Sequence, residues 1–114
     1  MSGIASGSLE HRVQLQHRVN GQDPDTGAPI VTYVTYARPW ADMHYQSVRE
    51  FVAASAEQSE VRGYCRMYHR DDIEPSDRIV FRGKWFGVLG IMPDNESGIE
   101  HVTLPYTEGV RLDQ

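Results

Sequence analysis

Residues 61–70 set the frame for the whole chain. Val61, Gly63, Cys65 and Met67 alternate with Arg62, Tyr64, Arg66, Tyr68 and Arg70. A period of two puts successive side chains on opposite faces, so this segment predicts a half-buried β-strand. The same period runs through the start of the chain, where Val13, Leu15 and Val19 oppose Arg12, Gln14, Gln16 and Arg18. Ile30 to Tyr36 is rich in β-branched and aromatic residues, Pro39 interrupts, and Trp40 to Tyr45 resumes. Proline has no N–H for a ladder, so this spacing predicts a second strand that bends. Arg78 to Arg82 and Trp85 to Ile91 flank Gly83-Lys84, which reads as a type II′ hairpin turn. Val102 to Tyr106 is a last strand.

Between these runs lie residues that break regular structure. Asn20 to Pro29 predicts a long projecting loop, and Asp71–Asp77 and Pro93–Gly98 predict turns. One helix stands out. Ser47 and Glu50 have the spacing of a capping box, and Phe51, Ala53, Ala54 and Ala56 suit roughly three turns ending near Ser59. The expected fold is mainly β: a small antiparallel β-barrel or sandwich of about six strands, with one short helix between strands 2 and 3. A barrel would remove exposed sheet edges. The Gly/Ser-rich segment Met1–Ser8 reads as a flexible arm, residues 9–106 as one barrel domain, and Thr107–Gln114 as a loose polar tail.

Size and charge narrow the function. At 114 residues the chain holds one core, and its formal net charge is −5. A dedicated nucleic-acid module is usually basic, so tight general DNA binding is not expected. One cysteine, Cys65, excludes an intramolecular disulfide and a Cys-rich zinc site. No apolar run approaches the ~20 residues that span a bilayer, and no signal peptide is read at the start, so the expectation is a soluble cytoplasmic product with no membrane partner.

The chemistry-bearing residues are dispersed. His11, His17, His44, His69 and His101 lie on separate strands without a metal-motif spacing. Alternation places His11, His17 and His69 with the apolar sets, as half-buried or interface residues. Asp23/Asp25, Asp71/Asp72 and Asp94/Glu96 fall in turns, where carboxylates cap backbone and stay solvated. Cys65 faces inward with Val61 and Met67 and reads as core. The expectation is no enzyme, no cofactor and no metal. The least ordinary element is the face carrying Arg62, Tyr64, Arg66, Tyr68 and Arg70. It suits a solvated outer face, a subunit interface or single-stranded nucleic acid, and the acidic total favours the interface over DNA.

The order of short motifs resembles the phage head–tail joining proteins, the adaptor, connector and stopper family. They are Leu9-Glu-His-Arg-Val-Gln-Leu-Gln16, Asp25-Thr-Gly27, Trp40-Ala41, Arg49-Glu-Phe51, Gln58-Ser-Glu-Val61, Arg70 before Ile73-x-Pro75, and Arg78-Ile-Val-Phe-Arg-Gly83. The likeness spans residues 7–110 and departs at Gly63 and Gly87. It implies a structural virion protein, assembled in the bacterial cytoplasm, that forms a ring at the head–tail connector. Such a ring would be compatible with a dodecamer in the virion and a monomer in isolation. It would contact a portal or adaptor protein, and a tail or tail-terminator protein, with DNA passing through the lumen. The link between strands 2 and 3 would be the channel element, with Gln46, Ser47, Arg49, Glu50, Phe51 and Gln58 as its candidates. Asp23, Asp25 and Thr26 in the first loop join Arg62, Tyr64, Arg66, Tyr68 and Arg70 as contact candidates. The alternatives are a barrel that binds single-stranded nucleic acid, and a tail-terminator role.

Overall fold

The computed structural model describes residues 9–93 and 100–112. The expected arm Met1–Ser8, most of the Pro93–Gly98 turn and the last two residues lie outside them. Two five-stranded sheets pack in a sandwich-like arrangement; among the described residues they form no closed barrel. In chain order the elements are β1 (His11–Arg12), β2 (Gln14–Gln22), β3 (Pro29–Ala37), β4 (Trp40–Tyr45), α1 (Val48–Ala56), β5 (Gly63–Tyr68), β6 (Arg78–Phe81), β7 (Lys84–Gly87), β8 (Met92–Pro93), β9 (His101–Tyr106) and β10 (Val110–Arg111). One sheet runs β1-β4-β5-β9-β8 and the other β10-β7-β6-β2-β3, with antiparallel pairing throughout.

The strand count exceeds the expectation because two long strands each split and two short strands, β8 and β10, are added. Pro39 ends the β3 ladder as expected, and its carbonyl accepts the Val13 N–H at 3.1 Å. Both strands of the first hairpin therefore break at one level. Their outer halves, β2 and β3, join one sheet, and β1 and β4 join the other. This corner holds the two sheets over a shared core. Leu15, Ile79 and Phe86 from one sheet meet Ala41, Cys65, Met67, Val102, Leu104 and Tyr106 from the other. Alternation in β5 is as read: Gly63, Cys65 and Met67 are buried, and Tyr64, Arg66 and Tyr68 are exposed.

Gly63 has a specific reason. A Cβ there would overlap the His44 carbonyl oxygen and the Tyr106 hydroxyl. Tyr106 Oη donates to that carbonyl at 3.0 Å, passing over the glycine.

Four expectations need correction. The first loop is shorter than Asn20–Pro29, because β2 continues to Gln22 and pairs with Pro29, leaving Asp23–Ala28 as the turn. The β6–β7 turn centres on Arg82-Gly83, with φ of 52° and 78°; two positive φ values make it type I′ rather than II′. The tail is not loose throughout, since Val110 and Arg111 pair with Trp85 and Lys84. His69 sits past the end of β5, so alternation does not apply; it is exposed and bonds Asp71 at 2.7 Å.

Candidate functional site

The helical link is the sharpest local structure in the chain. Ser47 Oγ accepts the Glu50 N–H at 3.2 Å, and Glu50 Oε1 accepts the Ser47 N–H at 3.3 Å. Hydrogen bonds from Ser47, side chain first and backbone second, hold the Glu50 carboxyl below its ordinary range. At the other end Gln58 takes a left-handed φ of 59°. Its N–H reaches the Ser55 carbonyl, and the Ser59 N–H reaches that of Ala54 at 2.8 Å, the paired bonds of a Schellman motif. Both ends are closed, yet only Ala54 of the helix is buried. The link is thus a preformed helix lying lightly on the body. Arg49 and Gln58 are exposed on it. Phe51 carries the Arg62 guanidinium 5.1 Å above its ring.

Beneath the helix lies a cleft of about 560 Å³. Tyr45, Phe51, Phe81, Phe86 and Tyr106 supply its apolar wall, and Arg62, Arg82 and Lys84 its cations, against one carboxylate, Glu108. Gln46 lines it, and Gln46 Oε1 is buried without a hydrogen-bond partner among the described residues. Of these residues only Gln46, Phe51 and Arg62 were legible beforehand as candidates. Arg82, Lys84 and Phe86 arrive through the β6–β7 hairpin, whose return brings them under the helix.

The Arg/Tyr face is smaller than the alternation implied. Tyr64, Arg66 and Tyr68 do share the outer side of β5. Arg62 and Arg70 flank the strand instead. Arg62 bonds the Ser59 and Val61 carbonyls, and Arg70 makes a two-point pair with Asp72 at 3.0 and 2.8 Å. Across the ladder Arg66 stands opposite Asp42, and Tyr64 opposite His44. One arginine facing one aspartate makes no basic stripe for a phosphate backbone.

Asp23, Asp25 and Thr26 cluster at the tip of the β2–β3 ribbon. Asp23 Oδ1 accepts the Asp25 N–H at 2.8 Å, and Thr26 Oγ1 the Ala28 N–H at 3.2 Å. At the root of that ribbon sits a group that sequence reading missed. Asp77, in a turn expected to be solvated, is 2% exposed. Its Oδ1 accepts from His17 Nδ1 at 2.6 Å; its Oδ2 accepts from Tyr36 Oη and, at 3.0 Å, from the Glu74 N–H. The His17 ring stacks on Tyr36 at 3.6 Å. Burial first, and the Asp77 hydrogen bond second, push the Tyr36 hydroxyl up. His17, Glu74 and Asp77 also bring three potential metal ligands together. Both Asp77 oxygens are already taken by donors, so the group acts as a strut that ties the ribbon to the 71–77 turn.

Cys65 is fully buried, and burial pushes its thiol up, away from nucleophilic use. Outside the core the described residues present a projecting ribbon, a lightly held helix and a charged apolar cleft. Residues 4–109 match the family described as phage head completion protein, and the chain belongs to that family. No curated protein matches it. Among solved structures, the solution structure of protein SF1141 from Shigella flexneri 2a is similar with a TM-score of 0.70 and 23% identity, over 94% of this chain and 98% of that one. A chain of the virion of the native gene transfer agent particle is similar with a TM-score of 0.61 and 13% identity, over 90% and 96%. Both likenesses concern the fold.

Proposed function

We propose that this protein is a non-enzymatic structural subunit of the head–tail connector. It forms a homo-oligomeric ring that joins a portal or adaptor protein on one side to a tail or tail-terminator protein on the other, with DNA passing through the lumen. The observation that carries this reading is membership of the head completion family across residues 4–109. The projecting ribbon and the exposed face of Tyr64, Arg66 and Tyr68 support it as contact surfaces. In this reading the link from Gln46 to Ser59 is the channel element. Its capped ends and single buried residue suit a helix that moves as a unit. A net charge of −5 suits a conduit that DNA traverses without sticking. The deciding experiment is electron microscopy of the purified protein, alone and mixed with its portal-bearing capsids. Rings, or density added below the portal, are expected. A protein that never joins such capsids at any salt or concentration would refute the reading.

A further inference from the structure

Past Gln16 the β2–β3 ribbon has no third strand among the described residues. β6 pairs only with Gln14–Gln16, while β2 and β3 continue together from His17↔Val34 to Gln22↔Pro29. One side of this ribbon continues the core-facing side of the sheet. Leu15 is fully buried at its root, and Val34, Val19 and Ile30 follow outward at 52%, 44% and 41% exposure. An isolated two-stranded ribbon is marginal in water, and this one leaves its apolar side uncovered.

We infer that the ribbon of one copy docks in the cleft beneath helix α1 of a second copy, head to tail. The cleft lies at the other end of the molecule. β2 runs toward the ribbon tip, while antiparallel β6 runs away from it to Arg82-Gly83 at the cleft. The ribbon tip and Arg82-Gly83 lie at opposite ends of the β2–β6 pair, so the tip of a chain points away from its own cleft.

The two surfaces complement each other. The tip, Asp23–Ala28, carries two carboxylates and no cation. The cleft sets Arg62, Arg82 and Lys84 against Glu108 alone. Gln46 Oε1 is a buried acceptor without a partner among the described residues, and the Thr26 hydroxyl, which accepts from Ala28, still has its own O–H to donate. The apolar side with Val19, Ile30 and Val34 matches the aromatic wall and the exposed Val48 and Phe51 of the helix. Different patches at opposite ends make a heterologous contact, which repeats from copy to copy and closes if the rotation allows. Closure into a ring rests on the connector reading; the contact does not.

The test is cross-linking between single-site variants of the full chain, in solution and in particles assembled in the host. Thr26→Cys and Lys84→Cys place one thiol in each surface, and native Cys65 is buried and does not compete. Oxidising a mixture of the two variants is expected to give a covalent dimer, which neither variant gives alone. Asp23→Lys with Asp25→Lys, or Arg82→Glu with Lys84→Glu, is expected to weaken self-association about tenfold or more, and both sets on one chain to restore it. Absence of the cross-link in solution and in particles overturns the inference. A cleft charge reversal that blocks incorporation while no cross-link ever forms does the same, and assigns the cleft to an acidic segment of another virion protein. Incorporation into particles, read separately, tests the connector reading.

Discussion

Replacing Asp77 should cost more than any other single turn residue. Asp77→Ala strips the acceptor from His17 Nδ1, Tyr36 Oη and the Glu74 N–H together. Hydrogen bonds to an ionised group are each worth ~1.5–3 kcal/mol, and a buried donor left unpaired adds its desolvation cost. His17 retains 28% side-chain exposure, so water replaces part of what it loses. The low end of the range therefore applies, giving about 4 kcal/mol in total. That is a large share of the ~5–15 kcal/mol by which domains are stable. At about 4 °C per kcal/mol, the midpoint should fall by about 15 °C. Asp77→Asn should cost only about 1–2 kcal/mol. Its carbonyl still accepts on one side, and its amide can donate to His17 Nδ1 once the ring proton moves to Nε2. Urea titration and thermal melts of both variants, with Tyr36→Phe for a double-mutant cycle, measure the partition. An Asp77→Ala protein within ~1 kcal/mol of wild type, or equal costs for Ala and Asn, would refute the strut.

Gly63→Ala should destabilise by about 3 kcal/mol, because the Cβ must displace Tyr106 and break its bond to the His44 carbonyl; denaturant melts check this. Gln58→Gly should stabilise by about 0.5–1 kcal/mol by relieving a left-handed φ at a helix end that otherwise stays intact; a lower melting point would contradict it. Stability should fall as pH rises above 9.0, the ordinary thiol value, and further above 10.0, the ordinary phenol value. Burial holds Cys65, Tyr36 and Tyr106 protonated in the folded state, so only the unfolded chain releases these protons there. Cys65 alone contributes a slope of up to about 1.4 kcal/mol per pH unit, and Cys65→Ala should remove that component from pH melts.

Local patterns were readable wherever a few neighbouring residues decide the outcome. The capping box needs only Ser47 and Glu50, so the helix was placed at its correct start. Alternation in β5 depends on one face being buried, which the run from Gly63 to Tyr68 states directly. The turn at Arg82-Gly83 was misplaced by one residue, because Gly83 satisfies either turn type. The second positive φ, at Arg82, depends on how β6 and β7 pair. The candidate list also mixed different environments. Tyr64, Arg66 and Tyr68 share a face, whereas Arg62 and Arg70 are tied to local carbonyl and carboxylate partners.

The amino-acid order alone established a mainly β fold, one capped helix between the second and third strand runs, and no spacing that concentrates catalytic groups. Each of these follows from interactions between residues a few positions apart. Only the tertiary structure decided that the sheets form a sandwich-like pair. A break at Pro39 is local, but the matching break at Val13 appears only when the two strands lie side by side. The Asp77 strut joins residues 41 and 60 positions apart, so nothing near Asp77 in the chain announces it. The same holds for the cleft and the ribbon. Arg62, Arg82, Lys84 and Gln46 become one cleft because the hairpin returns beneath the helix, and the ribbon becomes an unpaired arm because β6 is too short to accompany it.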